Sequence, residues 1–173
     1  MARIPPVEPE NEPAELKPVF DQLRATRGRV PGMYRTLAHQ PAILAAHRAY
    51  FHAALDAGVL PRPFKEKIAW RVARLRGSEY SSASHHRYAL KHGVGEAELA
   101  AIDRGDYAAL APREAAALRF AEAMVQGMGQ VDDAVYAALQ KHFNPAEIVE
   151  IAALVGIMEL ASMLGAVFDL TPD

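Results

Sequence analysis

The spacing of apolar residues constrains the fold of this chain more than any other feature of its sequence. Apolar positions recur every three or four residues, and no window shows the period-two alternation of a half-buried strand. Proline and glycine separate these stretches, as they do where helices begin and end. The sequence therefore predicts an all-α bundle. The predicted helices cover residues 14–27, 41–57, 61–77, 78–92, 96–104, 112–126 and 131–142, and a last helix begins at Asn144.

The two ends of the chain carry different signals. Residues 1–12 are rich in proline and show no helical period, which predicts an extended N-terminal arm. Residues 13–173 are predicted to form a single helical domain, since the chain is long enough to bury a core without disulfides or metal. Near the C-terminus, residues 144–147 read NPAE, which predicts a helix start with an asparagine cap and a glutamate that closes a capping box.

Composition and charge argue against several classes of protein. The net charge is −2 and no basic run is interleaved with aromatics, so neither nucleic acid nor an anionic membrane is an expected partner. Residues 148–168 are apolar enough to raise the question of a membrane span. Glu150 and Glu159 lie inside that segment, where a carboxylate in lipid is costly, so it is predicted to be a buried helix. With no signal peptide and no cysteine, the expected location is the cytoplasm.

Two neighbouring helices carry the candidate acid–base groups. On a helical wheel, Glu66 shares an apolar face with Trp70, and burial there is expected to raise the pKa of Glu66 towards neutrality. On the next helix, Ser81, His85 and Tyr88 lie on one stripe. If the two helices pack antiparallel, Glu66 and His85 can meet, which suits general acid–base catalysis. The arc that contains Lys67, Arg71 and Arg74 is expected to face water.

The segment that contains these groups resembles a known family signature. Residues 65–93 read KEKIAWRVARLRGSEYSSASHHRYALKHG. They resemble the carboxymuconolactone decarboxylase / alkylhydroperoxidase D family, in which a helical Glu precedes a Cys-x-x-Cys pair and a His follows four residues after the second Cys. The resemblance extends over about residues 29–168. It implies the alkylhydroperoxidase D-like helical bundle, a proton relay formed by Glu66 and His85, and assembly into a homo-oligomer (trimer or hexamer).

The family's two cysteine positions fall on Ser78 and Ser81, and the chain contains no cysteine elsewhere. A thiol can be activated to a thiolate and can cycle through sulfenic acid and disulfide, whereas a serine hydroxyl cannot. Thiol peroxidase activity is therefore excluded for this sequence. Whether the serines are natural or replace cysteines of a parent protein stays open, and so does their local role, because serine also favours helix N-caps.

Substrate contacts are predicted around the relay. Glu159 lies in GIMELASMLG, where relatives often carry an Asn-x-x-Asn-Arg-like segment, so an arginine for a substrate carboxylate is missing there. Arg35 is one candidate replacement for that anion contact. The full set of predicted substrate-binding residues is Tyr80, Ser78, Trp70, Tyr88, Glu159 and Arg35. The spacing of the histidines gives no metal motif, so neither a metal nor a cofactor is expected.

Three functional hypotheses follow. The first is a cofactor-free lyase of the decarboxylase type that acts on a small organic acid or lactone, with His85 as proton donor or acceptor, Glu66 tuning it, and Ser81 or Tyr80 bonding a substrate oxygen. The second is a catalytically inactive family member that binds a small molecule or a partner. The third is an alkylhydroperoxidase-like antioxidant protein whose redox cysteines are replaced by serine. The residues alone leave all three open and do not name the substrate.

Overall fold

The computed structural model describes residues 2–172 and is built of helices. Within that range no strand is present, and nine α-helices follow one another. They are α1 (Lys17–Arg27), α2 (Gly32–Leu37), α3 (Pro41–Phe51), α4 (Arg62–Leu75), α5 (Glu79–Lys91), α6 (Glu96–Asp103), α7 (Pro112–Gln126), α8 (Asp133–Gln140) and α9 (Pro145–Val167). The prediction of an all-α bundle is confirmed.

Helix α4 lies at the centre of the larger of two hydrophobic clusters. It contacts α5, α6, α7 and α9, and its Ile68, Ala69, Val72 and Ala73 have no exposed surface. This cluster extends over α6, α7 and the first half of α9. A helix buried on so many sides gives a rigid platform, which is what a functional side chain on α4 needs.

A second, smaller cluster gathers the N-terminal helices. Phe20 and Leu23 of α1, which are fully buried, pack with Tyr34 of α2 and Leu44 of α3. The last turns of α9 lean against the same cluster. The N-terminal arm is tied down as well, since backbone bonds join Arg3 to Phe168 and Val7 to Arg35, with one short 3-10 turn at Pro9–Asn11.

Most predicted helix ends lie within a few residues of the observed ones. Ser78 caps α5, and Asn144 with Glu147 forms the predicted capping box of α9. The predicted helix over residues 41–57 ends earlier, because the backbone widens into a π-helical turn at His52–Asp56. Helix α2 lies between the predicted helices over residues 14–27 and 41–57, where the sequence predicts no helix. It is only six residues long, too short to show a periodic pattern.

The arc predicted to face water on α4 does so only at Arg74, which is exposed. Lys67 is only 8% exposed and forms ion pairs with Glu98 and Glu114, while Arg71 pairs with Glu122. These carboxylates come from α6 and α7, which cover that side of α4. Helical periodicity cannot detect such a cover, because the partners lie 31 to 51 residues away in sequence.

Helix α9 has the length and hydropathy of a membrane span. Among residues 2–172 it is the one helix that meets this test, and half of its most apolar window is buried inside the bundle. Its Ile151, Leu154 and Met158 have no exposed surface. This face of α9 packs as the buried helix that the sequence predicts.

Candidate active site

Helices α4 and α5 bring the two predicted acid–base groups together. Three residues join the helices, and Gly77 in that turn adopts a φ of 60°, a left-handed conformation that glycine allows without strain. The helices then pack side by side, so that Nδ1 of His85 lies 2.7 Å from Oε2 of Glu66. The expected contact between these two side chains is therefore present, whereas their catalytic roles stay a prediction.

Glu66 is fully buried and is held from two directions. Its Oε2 contacts His85, and its Oε1 accepts a hydrogen bond of 2.7 Å from Nε of Arg62, one helical turn earlier. Arg62 also donates to Asp56, which in turn accepts a bond of 3.0 Å from Arg48. The buried charge of Glu66 therefore has the opposite charge beside it that a buried ion requires.

The predicted pKa shift of Glu66 is wrong in direction. Burial alone does raise the pKa of this carboxyl, as the sequence argument assumed, but the charges and hydrogen bonds of His85 and Arg62 outweigh burial and hold the pKa below its usual value. Glu66 is therefore a carboxylate at neutral pH and not a proton donor. Arg62 precedes Glu66 by one turn, and that spacing was the available signal.

An anionic Glu66 fixes the orientation of His85. Because a carboxylate can only accept, Nδ1 of His85 carries the proton and donates it to Glu66. The other ring nitrogen, Nε2, is then the one available for proton transfer. His85 is 5% exposed, and its ring forms part of the wall of a cavity. A histidine oriented by a buried carboxylate is the arrangement that general acid–base catalysis uses.

The cavity beside His85 has a volume of about 230 Å³ and a basic, aromatic lining. No Asp or Glu is among its lining residues. They are Arg27, Arg29, Pro31, Met33, Tyr34, His47, Phe51, Tyr80, Ser81, Ser84, His85, Arg87, Tyr88 and Ala161. The guanidinium of Arg27 lies 5.3 Å from the centroid of the Tyr88 ring and 5.8 Å from that of Phe51. Such a cavity suits a small organic anion with an apolar body.

Three predicted site residues besides His85 line this cavity, namely Ser81, Tyr80 and Tyr88. The hydroxyl of Tyr80 accepts a bond of 3.0 Å from the backbone N–H of Met33, so it also ties α5 to α2. Ser78 does not line the cavity. Its Oγ accepts from the backbone N–H of Ser81 at 3.3 Å, which is the N-cap role that the sequence left as an alternative.

Three other predicted substrate contacts lie away from the cavity. Nε1 of Trp70 donates to the backbone oxygen of Leu99 at 3.1 Å, on the α6 side of α4. Glu159 forms an ion pair with Arg76. Arg35 donates to the backbone oxygen of Val7 at 2.8 Å.

Partners distant in sequence determine all three placements, so the sequence pattern could not exclude them. Arg35 is directed to the N-terminal arm, where its guanidinium pairs with Glu8. The cations that line the cavity are instead Arg27, Arg29 and Arg87.

Sequence analysis missed His47 and Phe51. Both belong to α3 and are spaced i and i+4, so they share a face, and their rings stack at 6.2 Å between centroids. The i, i+4 spacing is visible in the sequence, but no neighbouring residue indicates that this face of α3 is directed towards His85. The ring of Phe51 lies 6.5 Å from that of His85.

Among residues 2–172, no group of three or more His, Asp or Glu side chains is arranged to hold a metal ion.

Comparison with known proteins gives the fold and a family match over part of the chain. Residues 41–123 match the Carboxymuconolactone decarboxylase family. An uncharacterized peroxidase-related protein from Ralstonia eutropha JMP134, described as an alkylhydroperoxidase AhpD core, superposes with a TM-score of 0.89 at 22% identity, over 99% of this chain and 92% of that one. A peroxidase-related protein from Silicibacter sp. TM1040 gives 0.88 at 21% identity, over 99% and 90%.

The debrominase Bmp8 is similar to the same degree. A cysteine-to-alanine variant in complex with 2,3,4-tribromopyrrole superposes with a TM-score of 0.87 at 22% identity, over 100% of this chain and 92% of that one. At these identities the likeness shows the fold alone. No curated protein sequence gives a significant match to this chain.

Proposed function

We propose that this chain, whose residues 41–123 match the Carboxymuconolactone decarboxylase family, is a cofactor-independent decarboxylase or related lyase that acts on a small organic acid or lactone. The observation that carries the proposal is the contact of 2.7 Å between Nδ1 of His85 and buried Glu66, at the wall of a cavity without carboxylates. This contact provides a proton-transfer group, His85, beside a cavity that favours an anion.

In the proposed reaction, the substrate carboxylate lies against the cavity arginines while its apolar body contacts the aromatic lining. The bond between the carboxylate and the adjacent carbon breaks, CO₂ leaves, and the electron pair moves onto a conjugated carbonyl oxygen. The carbon then takes a proton from Nε2 of His85, which recovers a proton from water. Anionic Glu66 stabilises the imidazolium form that delivers the proton. The chemistry therefore needs proton transfer and charge stabilisation only.

Two further side chains have proposed roles in holding the substrate. Ser81 lines the cavity one turn before His85, and its hydroxyl is the proposed hydrogen-bond partner of a substrate oxygen. Tyr80 lines the same wall. A hydroxyl bond to a developing oxyanion is stronger in the transition state than in the ground state, which is the condition for raising the rate.

The experiment for this proposal measures CO₂ release from a panel of small β-oxo acids and unsaturated lactone carboxylic acids. Turnover is expected with at least one member. Release that persists unchanged in His85→Asn, or release from no member of the panel, contradicts the proposal.

A thiol-free descendant of a peroxidase is the second candidate, and the position of Ser81 favours it. Ser81 lies in the first turn of α5, near His85, where a thiol would be activated by the helix N-terminus and by the histidine. The double variant Ser78→Cys with Ser81→Cys tests it. Gain of peroxide turnover supports this origin, whereas a thiol that alkylates with the ordinary pKa of about 8.5 and gives no turnover contradicts it.

We also propose that the chain acts as a homo-oligomer, a trimer or hexamer. Several large apolar side chains are exposed along α9 and beside it, among them Val149, Met163 and Val59. Exposed apolar patches favour burial against another copy. Light scattering at micromolar concentration is the test, and a mass near 18.8 kDa contradicts the proposal.

A further inference from the structure

We propose that His47 is a second ligand-binding side chain of the cavity, which hydrogen bonds to a carbonyl or hydroxyl oxygen of a planar organic acid whose carboxylate lies against Arg27 and Arg87. The inference rests on the proposed function in one respect, because it takes this cavity as the substrate site. It adds a recognition group that neither the family signature nor the acid–base pair includes.

The first reason for this proposal is that the two ring nitrogens of His47 lack hydrogen-bond partners in the part of the chain that the structure describes. His47 is 7% exposed, and neither Nδ1 nor Nε2 has a hydrogen-bond partner among the described residues. Buried polar atoms are nearly always bonded, and a neutral imidazole carries one donor and one acceptor. His47 lines the cavity, so a ligand bound there is the proposed source of the missing partner.

The ring of His47 is also held in one orientation. The ring of Tyr34 meets it edge-on, with 5.9 Å between centroids and planes 72° apart. The ring of Phe51 stacks on it at 6.2 Å. These contacts leave the imidazole little freedom, and a polar group that is oriented before the ligand arrives binds it with less loss of entropy.

The protonation state suits recognition of a neutral oxygen. Burial, with the nearby charge of Arg48 adding to it, lowers the pKa of His47 below its ordinary value. The imidazole is therefore neutral at neutral pH. A neutral imidazole can donate its N–H to a carbonyl oxygen and stabilise negative charge that develops there. In the proposed decarboxylation, that oxygen receives the electron pair.

The arginines of the cavity indicate that the opposite end of the ligand carries a carboxylate. Within residues 2–172, neither Arg27 nor Arg87 forms an ion pair with a carboxylate, although both contact the ring of Tyr88. This differs from Arg62, which is paired with Glu66 and Asp56. Unpaired guanidinium groups at a cavity wall bind carboxylates well. Aromatic rings between them and His47 favour a planar body.

The test is calorimetric binding of four probes, benzoate and its 2-, 3- and 4-hydroxy derivatives. The wild-type protein should bind at least one hydroxybenzoate about five- to tenfold more tightly than benzoate, a ratio typical of one neutral hydrogen bond. His47→Phe keeps a ring between Tyr34 and Phe51 and should remove that preference while leaving benzoate affinity within about twofold. Arg27→Gln should weaken all four probes.

A purely structural role for His47 gives a different pattern. In that case His47→Phe and His47→Met weaken benzoate and the hydroxybenzoates alike, or weaken none, and the proposal is overturned. Absence of binding by all four probes at millimolar concentration also overturns it, because the cavity is then not a site for aromatic acids. His47→Met supplies the answer if the Phe variant fails to fold.

The same experiment separates this inference from the proposed function. Probe binding requires no turnover, so a preserved oxygen preference without any CO₂ release contradicts the lyase and leaves the recognition role standing. CO₂ release that depends on His85 but not on His47, together with no oxygen preference, contradicts the recognition role of His47 and leaves the lyase standing.

Discussion

The two sides of the cavity differ in what their polar groups contact. On the side built by α4 and α5, Glu66 is bonded at both oxygens and His85 is oriented by it. On the side built by α1 and α3, His47 has no hydrogen-bond partner and Arg27 has no carboxylate among the described residues. The paired side has its charges fixed by the protein. On the unpaired side, the proposed ligand is what supplies the missing partners.

The family match covers the paired side and only part of the unpaired side. Residues 41–123 include α4, α5 and also His47, whereas Arg27 and Tyr34 precede the match. The N-terminal helices thus supply part of the cavity wall from outside the matched segment. The proposed acid–base pair lies inside the matched segment, and part of the proposed ligand-binding wall lies before it.

The largest expected effect is on the paired side, in His85→Asn. Loss of the proton-transfer group should lower turnover about a hundredfold to ten-thousandfold while the protein stays folded. The adjacent His86→Asn is the matched control, because His86 pairs with Glu96 outside the cavity and should leave the rate unchanged. Steady-state rates with an identified substrate check both. Equal losses in the two variants contradict the assignment.

On the unpaired side, Phe20→Ala should cost about 3–5 kcal/mol of unfolding free energy, because Phe20 is fully buried in the N-terminal cluster. Urea unfolding measures the change. Ile43→Ala, at a side chain that is 55% exposed, is the control and should change stability by less than about 0.5 kcal/mol. If Phe20→Ala leaves stability unchanged, the N-terminal helices do not pack as a core.

Glu66→Gln should cost about 1.5–3 kcal/mol at neutral pH, because hydrogen bonds to a charged group are lost on the paired side. The sign of the pH dependence follows from the lowered pKa of Glu66. The unfolded carboxyl takes its proton first as the pH falls, so this stabilisation is complete above the unfolded value of 4.5 and is lost as the pH drops towards the lower folded value. The gap between wild type and variant should therefore narrow below about pH 4.5. A constant gap refutes the linkage.

The smallest effect is expected for His47→Phe without ligand. Removing two unbonded buried nitrogens should raise the unfolding free energy by about 1 kcal/mol at pH 5. Because the folded pKa of His47 lies below the unfolded value of 6.5, wild type loses stability as the pH falls below that value, and the variant should lose less. Thermal melts at pH 7 and pH 5 measure this difference. Parallel pH profiles count against a buried neutral imidazole.

Local signals were enough for the helices and for the approach of Glu66 to His85. Period, caps and the Gly77 turn act over a few residues, so their outcome is visible in the sequence. The pKa of Glu66 was misjudged because burial was considered without Arg62. Arg35 was expected near the substrate, and instead it contacts the N-terminal arm.

By itself, the sequence determined the all-α fold, the resemblance to a family, the lack of any thiol chemistry, and the pair Glu66 and His85. Only the tertiary structure decided which cations line the cavity, that Lys67 is buried among carboxylates, and that the nitrogens of His47 are left unbonded. The physical reason is the distance along the sequence over which each kind of interaction acts. Helix formation depends on neighbours within one or two turns, whereas the charge and the hydrogen bonding of a buried group depend on whichever helix packs over it.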